Sequence, residues 1–297
     1  MKPQQGVLLV SHGTVERIED LPAFVQNVRQ GRPPSAEMIE ELRRRYEAIG
    51  GSPLNAINAN LCGLLQSALD VPVAFGSRFW TPTIRDQVQH LATGGATRLA
   101  VVPLAQHSAQ VYEKDVRKAV EGMQAPELVF APGWGQRPDL AAAFARRIAK
   151  ALEGHDPRRT TVLMTAHSLP KMVIDRGDSY EREVRASAAA IGALLGSDVR
   201  WQVVFQSQGI SDIPGGWLGP DLPTALEEVR ARGDAGVVLS PIGFLADHVE
   251  ILYDLDVEAA GIAKGKGLRF TRAASLNTDA DFLEVLTEVI RPLLAHA

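Results

Sequence analysis

Residues 236–250 read Gly236-Val237-Val238-Leu239-Ser240-Pro241-Ile242-Gly243-Phe244-Leu245-Ala246-Asp247-His248-Val249-Glu250. The first four residues form a continuously apolar run, which is typical of a strand that is covered on both faces. A turn containing proline and glycine follows, and a helix then begins near Asp247. A buried strand, a turn and a helix in this order predict a parallel sheet, with ligands bound beyond the carboxyl ends of its strands.

The same alternation continues along the whole chain and predicts an α/β fold of the doubly wound parallel-sheet (Rossmann-like) type. Strands are predicted near residues 6–11, 71–76, 98–103, 127–131, 160–165, 201–206, 235–240 and 267–271. Helices are predicted near residues 35–49, 54–69, 82–93, 110–123, 137–153, 179–195, 221–232, 247–262 and 279–294.

The chain also repeats itself. Residues 7–14 (VLLVSHGT) parallel residues 162–169 (VLMTAHSL), and residues 101–107 (VVPLAQH) parallel residues 239–248 (LSPIGFLADH). A diverged duplication explains both pairs and predicts two similar lobes around one cleft. We place the lobes at residues 1–157 and 158–297, with the C-terminal helix packing back on the first lobe.

Composition excludes several classes of protein. The net charge of −4 gives no indication of a nucleic-acid partner. Cys62 is the only cysteine, which excludes an internal disulfide and an iron–sulfur cluster bound by cysteines of one chain. Because no apolar run is long enough for a signal peptide or a membrane span, we expect a cytoplasmic enzyme without a transmembrane segment.

Three acidic residues predict a cation site. Glu250, Asp254 and Glu258 are spaced i, i+4, i+8 and would share one face of a helix. Stacked like charges repel each other, and a divalent cation would relieve that repulsion. The alternative interpretation is a solvated acidic helix face.

Two histidines occupy equivalent positions in the repeat. His167 ends an apolar strand within Thr165-Ala166-His167-Ser168-Leu169-Pro170, and His12 ends the matching strand. Neutral imidazole ligates Fe²⁺, Co²⁺ or Zn²⁺ and also carries protons near neutral pH. The alternative for each is a structural histidine at a strand end. We expect His248, which lies close to Glu250 on the predicted helix, to be structural, because neighbouring residues on a helix cannot all face the cleft.

Two loops and a basic region offer further binding groups. Trp217, in a glycine-rich loop, would form a wall for a flat ligand, or the loop only precedes a helix capped by Asp221. Residues 50–54 (GGSPL) would bind an anion at a helix N-terminus, but they lack the lysine of a P-loop. The arginines near this loop either form a solvated surface or bind the carboxylates of a ligand. They are Arg29, Arg32, Arg43, Arg44 and Arg45.

Taken together, these stretches resemble the ferrochelatase family over essentially the whole chain. Residues 165–170 (TAHSLP) are similar to its S-A-H-[GS]-L-P motif, and residues 205–207 (FQS) with 217–221 (WLGPD) to its [FW]-Q-S and W-L-x-P motifs. Residues 241–258 (PIGFLADHVEILYDLDVE) and 45–54 (RYEAIGGSPL) match two more, the second with one residue missing before the serine.

Residues 28–34 (VRQGRPP) and the A-H-S-L-P form look closest to the coproporphyrin III ferrochelatases. The resemblance implies that Fe²⁺ enters coproporphyrin III to give coproheme, with Fe²⁺ as substrate and no tightly bound cofactor. It implies that His167 and Glu250 flank the insertion face and that Asp254 and Glu258 continue the acidic row. It also implies porphyrin contacts from Arg29, Arg45, Tyr46, Ser52 and Tyr112, and transient contact with other heme-pathway enzymes.

His12 departs from the family pattern. Many coproporphyrin enzymes carry a tyrosine there, so we expect His12 to contact the metal through nitrogen, from the face opposite His167. Ser11-His12-Gly13 is also similar to sirohydrochlorin-type cobalt chelatases. The remaining alternatives are therefore protoporphyrin IX or sirohydrochlorin as substrate, and a non-catalytic heme carrier.

Overall fold

The computed structural model describes residues 4–208 and 213–295, which form two compact units. The first contains the chain up to Trp134 together with the segment from Asn277 onward, and the second contains Gly135–Leu276. The boundary predicted near Pro157 is therefore displaced toward the N-terminus. The reason is that the helix over 138–151 packs in the second unit, where Ser187 Oγ donates to the Gly135 carbonyl over 2.8 Å.

The first unit is a four-stranded parallel sheet with the strand order β2-β1-β3-β4. Its strands are β1 (Gln5–Ser11), β2 (Val73–Ser77), β3 (Arg98–Pro103) and β4 (Glu127–Phe130). Its helices are α1 (Leu21–Val28), α2 (Ala36–Ile49), α3 (Leu54–Leu69), α4 (Ile84–Thr93) and α5 (Ala109–Ala119), and later α12 (Ala280–Ala295).

The second unit is also a four-stranded parallel sheet, with the order β6-β5-β7-β8. Its strands are β5 (Thr160–His167), β6 (Arg200–Gln206), β7 (Gly236–Ser240) and β8 (Arg269–Arg272). Its helices are α6 (Pro138–Ala151), α7 (Lys171–Asp175), α8 (Tyr180–Leu195), α9 (Leu222–Ala231), α10 (Val249–Leu252) and α11 (Ala260–Gly265). In each sheet, the strand that comes first along the chain lies second from one edge, between the second and third strands of that unit. The predicted two-lobed α/β fold is confirmed.

The central strands are buried on both faces, as their apolar sequences predict. Val7–Val10 of β1 and Val162–Met164 of β5 have no exposed surface. In the second unit, residues of α9 and of the helical segment after β7 pack on one face of this sheet. This burial fixes the strand register, because a shift of one residue would turn polar side chains into the core.

One predicted helix is interrupted. The sequence predicts a single helix over 247–262, but α10 ends at Leu252 and a π-helix covers Asp254–Ala259 before α11 begins. Its wider turn is visible in the bond from Glu258 N to the Tyr253 carbonyl, five residues back. The short helices α1 and α7 were not predicted at all. In the described part of the chain, no helix has the length and apolar character needed to span a membrane.

Candidate active site

In the second unit, the strand order indicates which strand ends form a site. In a sheet ordered 2-1-3-4 the connections leave in opposite directions from the first and third strands, and ligands bind beyond the carboxyl ends of that pair. Here the pair is β5 and β7. His167 is the last residue of β5, and Glu250 follows β7 in the first turn of α10.

These two side chains face each other. His167 Nε2 lies 3.6 Å from Glu250 Oε1, and the two side chains are 38% and 33% exposed. They are therefore close enough for an ion pair and still open to a ligand. The family resemblance implies that both flank the face of metal insertion as catalytic residues, and the structure brings them together.

Gly243 makes this approach possible. The loop after β7 passes directly over the end of β5, with Gly243 N donating to the Thr165 carbonyl over 2.9 Å. A Cβ atom at Gly243 would lie 2.6 Å from Ala166 Cα, which is a clash with backbone. Glycine is therefore required for the loop to carry Glu250 toward His167.

The hydrogen bonds of His167 define its tautomer. Its Nδ1 lies 2.5 Å from the Ser168 carbonyl oxygen, and a carbonyl only accepts, so Nδ1 carries a proton. Tyr180 Oη donates to the His167 carbonyl over 3.0 Å and holds the backbone beneath it. Nε2 is therefore the nitrogen that can gain or lose a proton, or bind a metal.

The charge on His167 is set by its neighbours. Burial alone would lower the pKa of His167, but the Glu250 carboxylate, the Ser168 carbonyl and the more distant Asp254 together raise it to about 9. Without a metal, the pair is thus an imidazolium beside a carboxylate at neutral pH.

His248 has the opposite protonation state. It is the N-cap of α10, and its Nδ1 accepts a hydrogen bond from Glu250 N over 3.2 Å. Burial lowers the pKa of His248, against the raising effect of Glu250 and Asp247. A neutral imidazole that fixes the Glu250 backbone agrees with the structural role expected from the sequence.

The end of β6 holds the acidic segment in place. Gln206 Nε2 donates to the Glu250 carbonyl over 2.8 Å, and Ser207 Oγ donates to Asp254 Oδ2 over 2.6 Å. Ser207 adopts a left-handed conformation (φ 59°) to reach this position. In the sequence, Gln206 and Ser207 stand out only as part of the FQS motif at residues 205–207. Two polar residues at the end of an apolar strand were the available signal.

The acidic row runs from the site to the surface. Asp254 is buried, whereas Glu258 is exposed. In a straight α-helix, residues eight apart differ by about 80° around the axis, and the wider turn of a π-helix reduces that drift. No group of three His, Cys, Asp or Glu side chains within residues 4–208 and 213–295 is arranged to hold a metal ion. A cation that passes along this row would therefore meet one carboxylate at a time and not a preformed site of three ligands.

Trp217 lies beside the segment that follows His167. It forms an isolated antiparallel bridge with Pro170, and the adjacent Leu218 carbonyl accepts from Ser168 Oγ over 2.9 Å. The indole is partly exposed. The loop therefore supports the His167 segment in addition to the ligand contact predicted for Trp217.

In the first unit, His12 directly follows β1, close to the position that His167 occupies as the last residue of β5. Its exposed ring packs edge-on against Phe79 at 4.9 Å and Phe24 at 6.3 Å between ring centroids. Gly13 after it has φ 97°, and a Cβ there would lie 3.0 Å from Ser77 Cβ. The result is an exposed imidazole whose ring packs edge-on against two phenylalanine rings.

Tyr46 and Tyr112, both predicted to contact a porphyrin, are buried within the first unit. Tyr46 is 2% exposed and its hydroxyl lies 2.9 Å from Thr14 Oγ1. Tyr112 is 7% exposed, and the Arg78 guanidinium lies 4.4 Å from its ring centroid. Arg78, which was not among the binding residues predicted from the sequence, also forms an ion pair with Asp115. Both tyrosines therefore pack in the interior of the first unit, Tyr46 against the buried Thr14 and Tyr112 beneath the Arg78 guanidinium.

Arg29, Ser52 and Arg45 are partly exposed on the same unit. Within residues 4–208 and 213–295, the buried atoms Arg29 Nε and Ser52 Oγ have no hydrogen-bond partner, which is unfavourable unless a ligand supplies one. Arg45 Nε donates to Glu41 Oε1 over 2.7 Å. Unpaired polar atoms at two predicted binding residues fit a ligand with carboxylates.

Comparison with known proteins identifies the family. The Ferrochelatase family model matches residues 4–293. The chain belongs to the ferrochelatase family. It is an enzyme that inserts a metal ion into a porphyrin, and the resemblance noted from the motifs is confirmed.

Two relatives and one solved structure illustrate the match. A ferrochelatase of Acidobacterium capsulatum is 37% identical, over 93% of this chain and 90% of its own. A coproporphyrin III ferrochelatase of Nocardia farcinica is 34% identical, over 97% of this chain and 87% of its own. A structure described as SirB from Bacillus subtilis with Fe³⁺ has a TM-score of 0.63 at 16% identity and covers 98% of this chain and 96% of its own, which shows a shared fold.

Proposed function

We propose that this ferrochelatase inserts Fe²⁺ into coproporphyrin III and so forms coproheme. The observation that carries the chemistry is the facing pair of His167 Nε2 and Glu250 Oε1, 3.6 Å apart at the strand ends. The coproporphyrin assignment is supported by relatives of that name from Nocardia farcinica and Mycobacterium marinum, at 34% and 35% identity. The unpaired polar atoms of Arg29 and Ser52 support a substrate that is rich in carboxylates.

Insertion removes two pyrrole protons and adds one dication, so the site must accept protons and hold a cation. His167 Nε2 accepts the two pyrrole protons one after the other and releases each to solvent through its partly exposed ring, since Nδ1 is committed to Ser168. Glu250 holds the incoming metal through its carboxylate. A positive ion beside Glu250 opposes the charge on the imidazolium, so arrival of the metal favours loss of the Nε2 proton. The neutral imidazole then acts as the base.

We expect kcat/KM for coproporphyrin III to exceed that for protoporphyrin IX by more than tenfold. The tetrapropionate offers two more carboxylates, and each well-made charge-assisted contact contributes roughly 1.5–3 kcal/mol. An anaerobic assay with Fe²⁺ and with Co²⁺, run on coproporphyrin III, protoporphyrin IX and sirohydrochlorin, measures the preference. Arg29→Met should reduce the preference, and Arg44→Met, on a side chain that is 58% exposed, serves as control. Equal efficiency with protoporphyrin IX would contradict the proposal.

His12 is proposed to bind the metal of the product through nitrogen. An exposed imidazole on an aromatic surface suits a flat metalloporphyrin, and imidazole is a strong ligand for heme iron. We expect His12→Ala to change the visible spectrum of the bound product and to speed its release, with a smaller loss of insertion rate than His167→Ala. Spectra identical to the wild type would instead favour a structural His12.

The proposal includes no tightly bound cofactor, with the metal ion acting only as substrate. Metal analysis of the purified protein tests this, since a stoichiometric ion retained after dialysis would contradict it. A heme carrier without chemistry is the non-enzymatic alternative, and turnover in the anaerobic assay distinguishes the two. The cytoplasmic location and contacts with other heme-pathway enzymes stay predictions from the sequence.

A further inference from the structure

Arg272 bonds to carboxylates on both sides of the segment that carries Glu250 and Asp254. Its Nη1 donates to Asp247 Oδ1 over 3.2 Å, just before α10, and its Nε donates to Asp256 Oδ1 over 2.6 Å, within the π-helix. Ser275 Oγ also donates to Asp247 Oδ1, over 2.7 Å. One guanidinium thus ties together the two flanks of the acidic segment.

The base of this arginine is fixed by the sheet. Arg272 is the last residue of β8 and pairs in register with Leu239 of β7, and Ala273 N donates to the Leu239 carbonyl over 2.8 Å. The Arg272 side chain is 15% exposed, so its ion pairs are partly shielded from water and ions. A guanidinium held this way can bind two separate carboxylates in defined directions.

The acidic segment needs such support. With four residues, α10 is too short to be stable by itself, and the π-helix that follows is a rare conformation. Gln206 and Ser207 hold this segment through Glu250 and Asp254 themselves. Arg272 instead uses Asp247 and Asp256, so its bonds to this segment do not involve the carboxylates of Glu250 and Asp254.

We propose that Arg272 is a positioning residue for metal insertion, bridging Asp247 and Asp256 so that Glu250 and Asp254 keep their places. Its kinetic consequence rests on the proposed roles of Glu250 and His167. Its structural consequence, order in residues 247–259, does not depend on any substrate.

Arg272→Met tests the proposal, with Arg269→Met as the matched control on the same strand. Arg269 is exposed and donates to the Gly154 carbonyl, away from the acidic segment. We expect Arg272→Met to speed amide hydrogen exchange in residues 247–259 by roughly tenfold or more, the loss expected for a charge-assisted bond. We expect kcat for insertion by Arg272→Met to fall by a similar factor, whereas its Kd for the porphyrin should stay within about threefold of the wild-type value. Arg269→Met should change neither hydrogen exchange nor kcat.

A milder variant separates positioning from misfolding. Asp256→Asn removes one of the two ion pairs and should give a smaller effect in the same direction, while the double variant with Arg272→Met should be no worse than Arg272→Met alone. The proposal would be overturned if amide hydrogen exchange in residues 247–259 of Arg272→Met were as slow as in the wild type. It would also be overturned if Arg269→Met lost as much kcat as Arg272→Met. If the wild type itself inserts no metal, the proposed function fails, and the exchange measurement alone decides the role of Arg272.

Discussion

Replacement of His167 with alanine is expected to lower the rate of metal insertion by ~10²- to 10⁴-fold, the usual contribution of a general acid–base group. His167 presents Nε2 toward Glu250 and commits Nδ1 to the Ser168 carbonyl, so it has one nitrogen for proton transfer. Porphyrin binding should stay within about tenfold, because most of it would come from apolar and carboxylate contacts elsewhere. Single-turnover insertion and fluorescence titration measure the two quantities.

His90→Ala is the control for this experiment, since His90 is exposed on α4 in the first unit. It should leave both the rate and the binding unchanged. A His167→Ala enzyme with near-normal turnover would remove His167 from the mechanism. A loss of porphyrin binding that matches the loss of rate would instead make it a binding residue.

Replacement of Glu250 with glutamine is expected to lower insertion by at least ~10²-fold and to lower the pKa of His167 from about 9. The Glu250 carboxylate is the main group that raises this pKa, while burial acts against it. The variant thus holds the Nε2 proton less tightly but lacks the carboxylate that receives the metal. NMR titration of the His167 ring and single-turnover kinetics measure both effects.

Glu227→Gln is the control, since Glu227 pairs with Lys266 on the surface of the same unit. An unchanged His167 titration in Glu250→Gln would show that another group sets its charge. Faster insertion in this variant would show that the protonated histidine limits the rate and that Glu250 is not needed for the metal.

The same pair makes a pH-dependent contribution to stability. The pKa of His167 is raised in the folded protein, so the folded state binds the proton more tightly than the unfolded state does. This contribution is fully present below the ordinary histidine pKa of about 6.5 and is lost as pH rises through about 9. Denaturation midpoints should show this dependence in the wild type and much less of it in Glu250→Gln.

The sequence by itself determined the parallel α/β fold, the duplication and the two residues of the candidate site. Short continuous apolar runs such as Val7–Val10, bounded by turn residues, are typical of strands buried on both faces, and strand–helix alternation then favours parallel pairing. The repeat placed His12 and His167 at equivalent strand ends, and the identical strand orders of the two sheets agree with it. These features are local or periodic, and for that reason they can be read along the chain.

Only the tertiary structure decided how the site is supported. The bonds from the end of β6 and the bridge from Arg272 join residues that are distant in sequence, and they bond to the segment that forms the π-helix over Asp254–Ala259. The displaced boundary at Gly135 and the burial of Tyr46 likewise depend on which surfaces pack together. Sequence periodicity shows which face of an element is apolar. It does not show which strand end or helix covers that face, because packing between distant segments sets that choice.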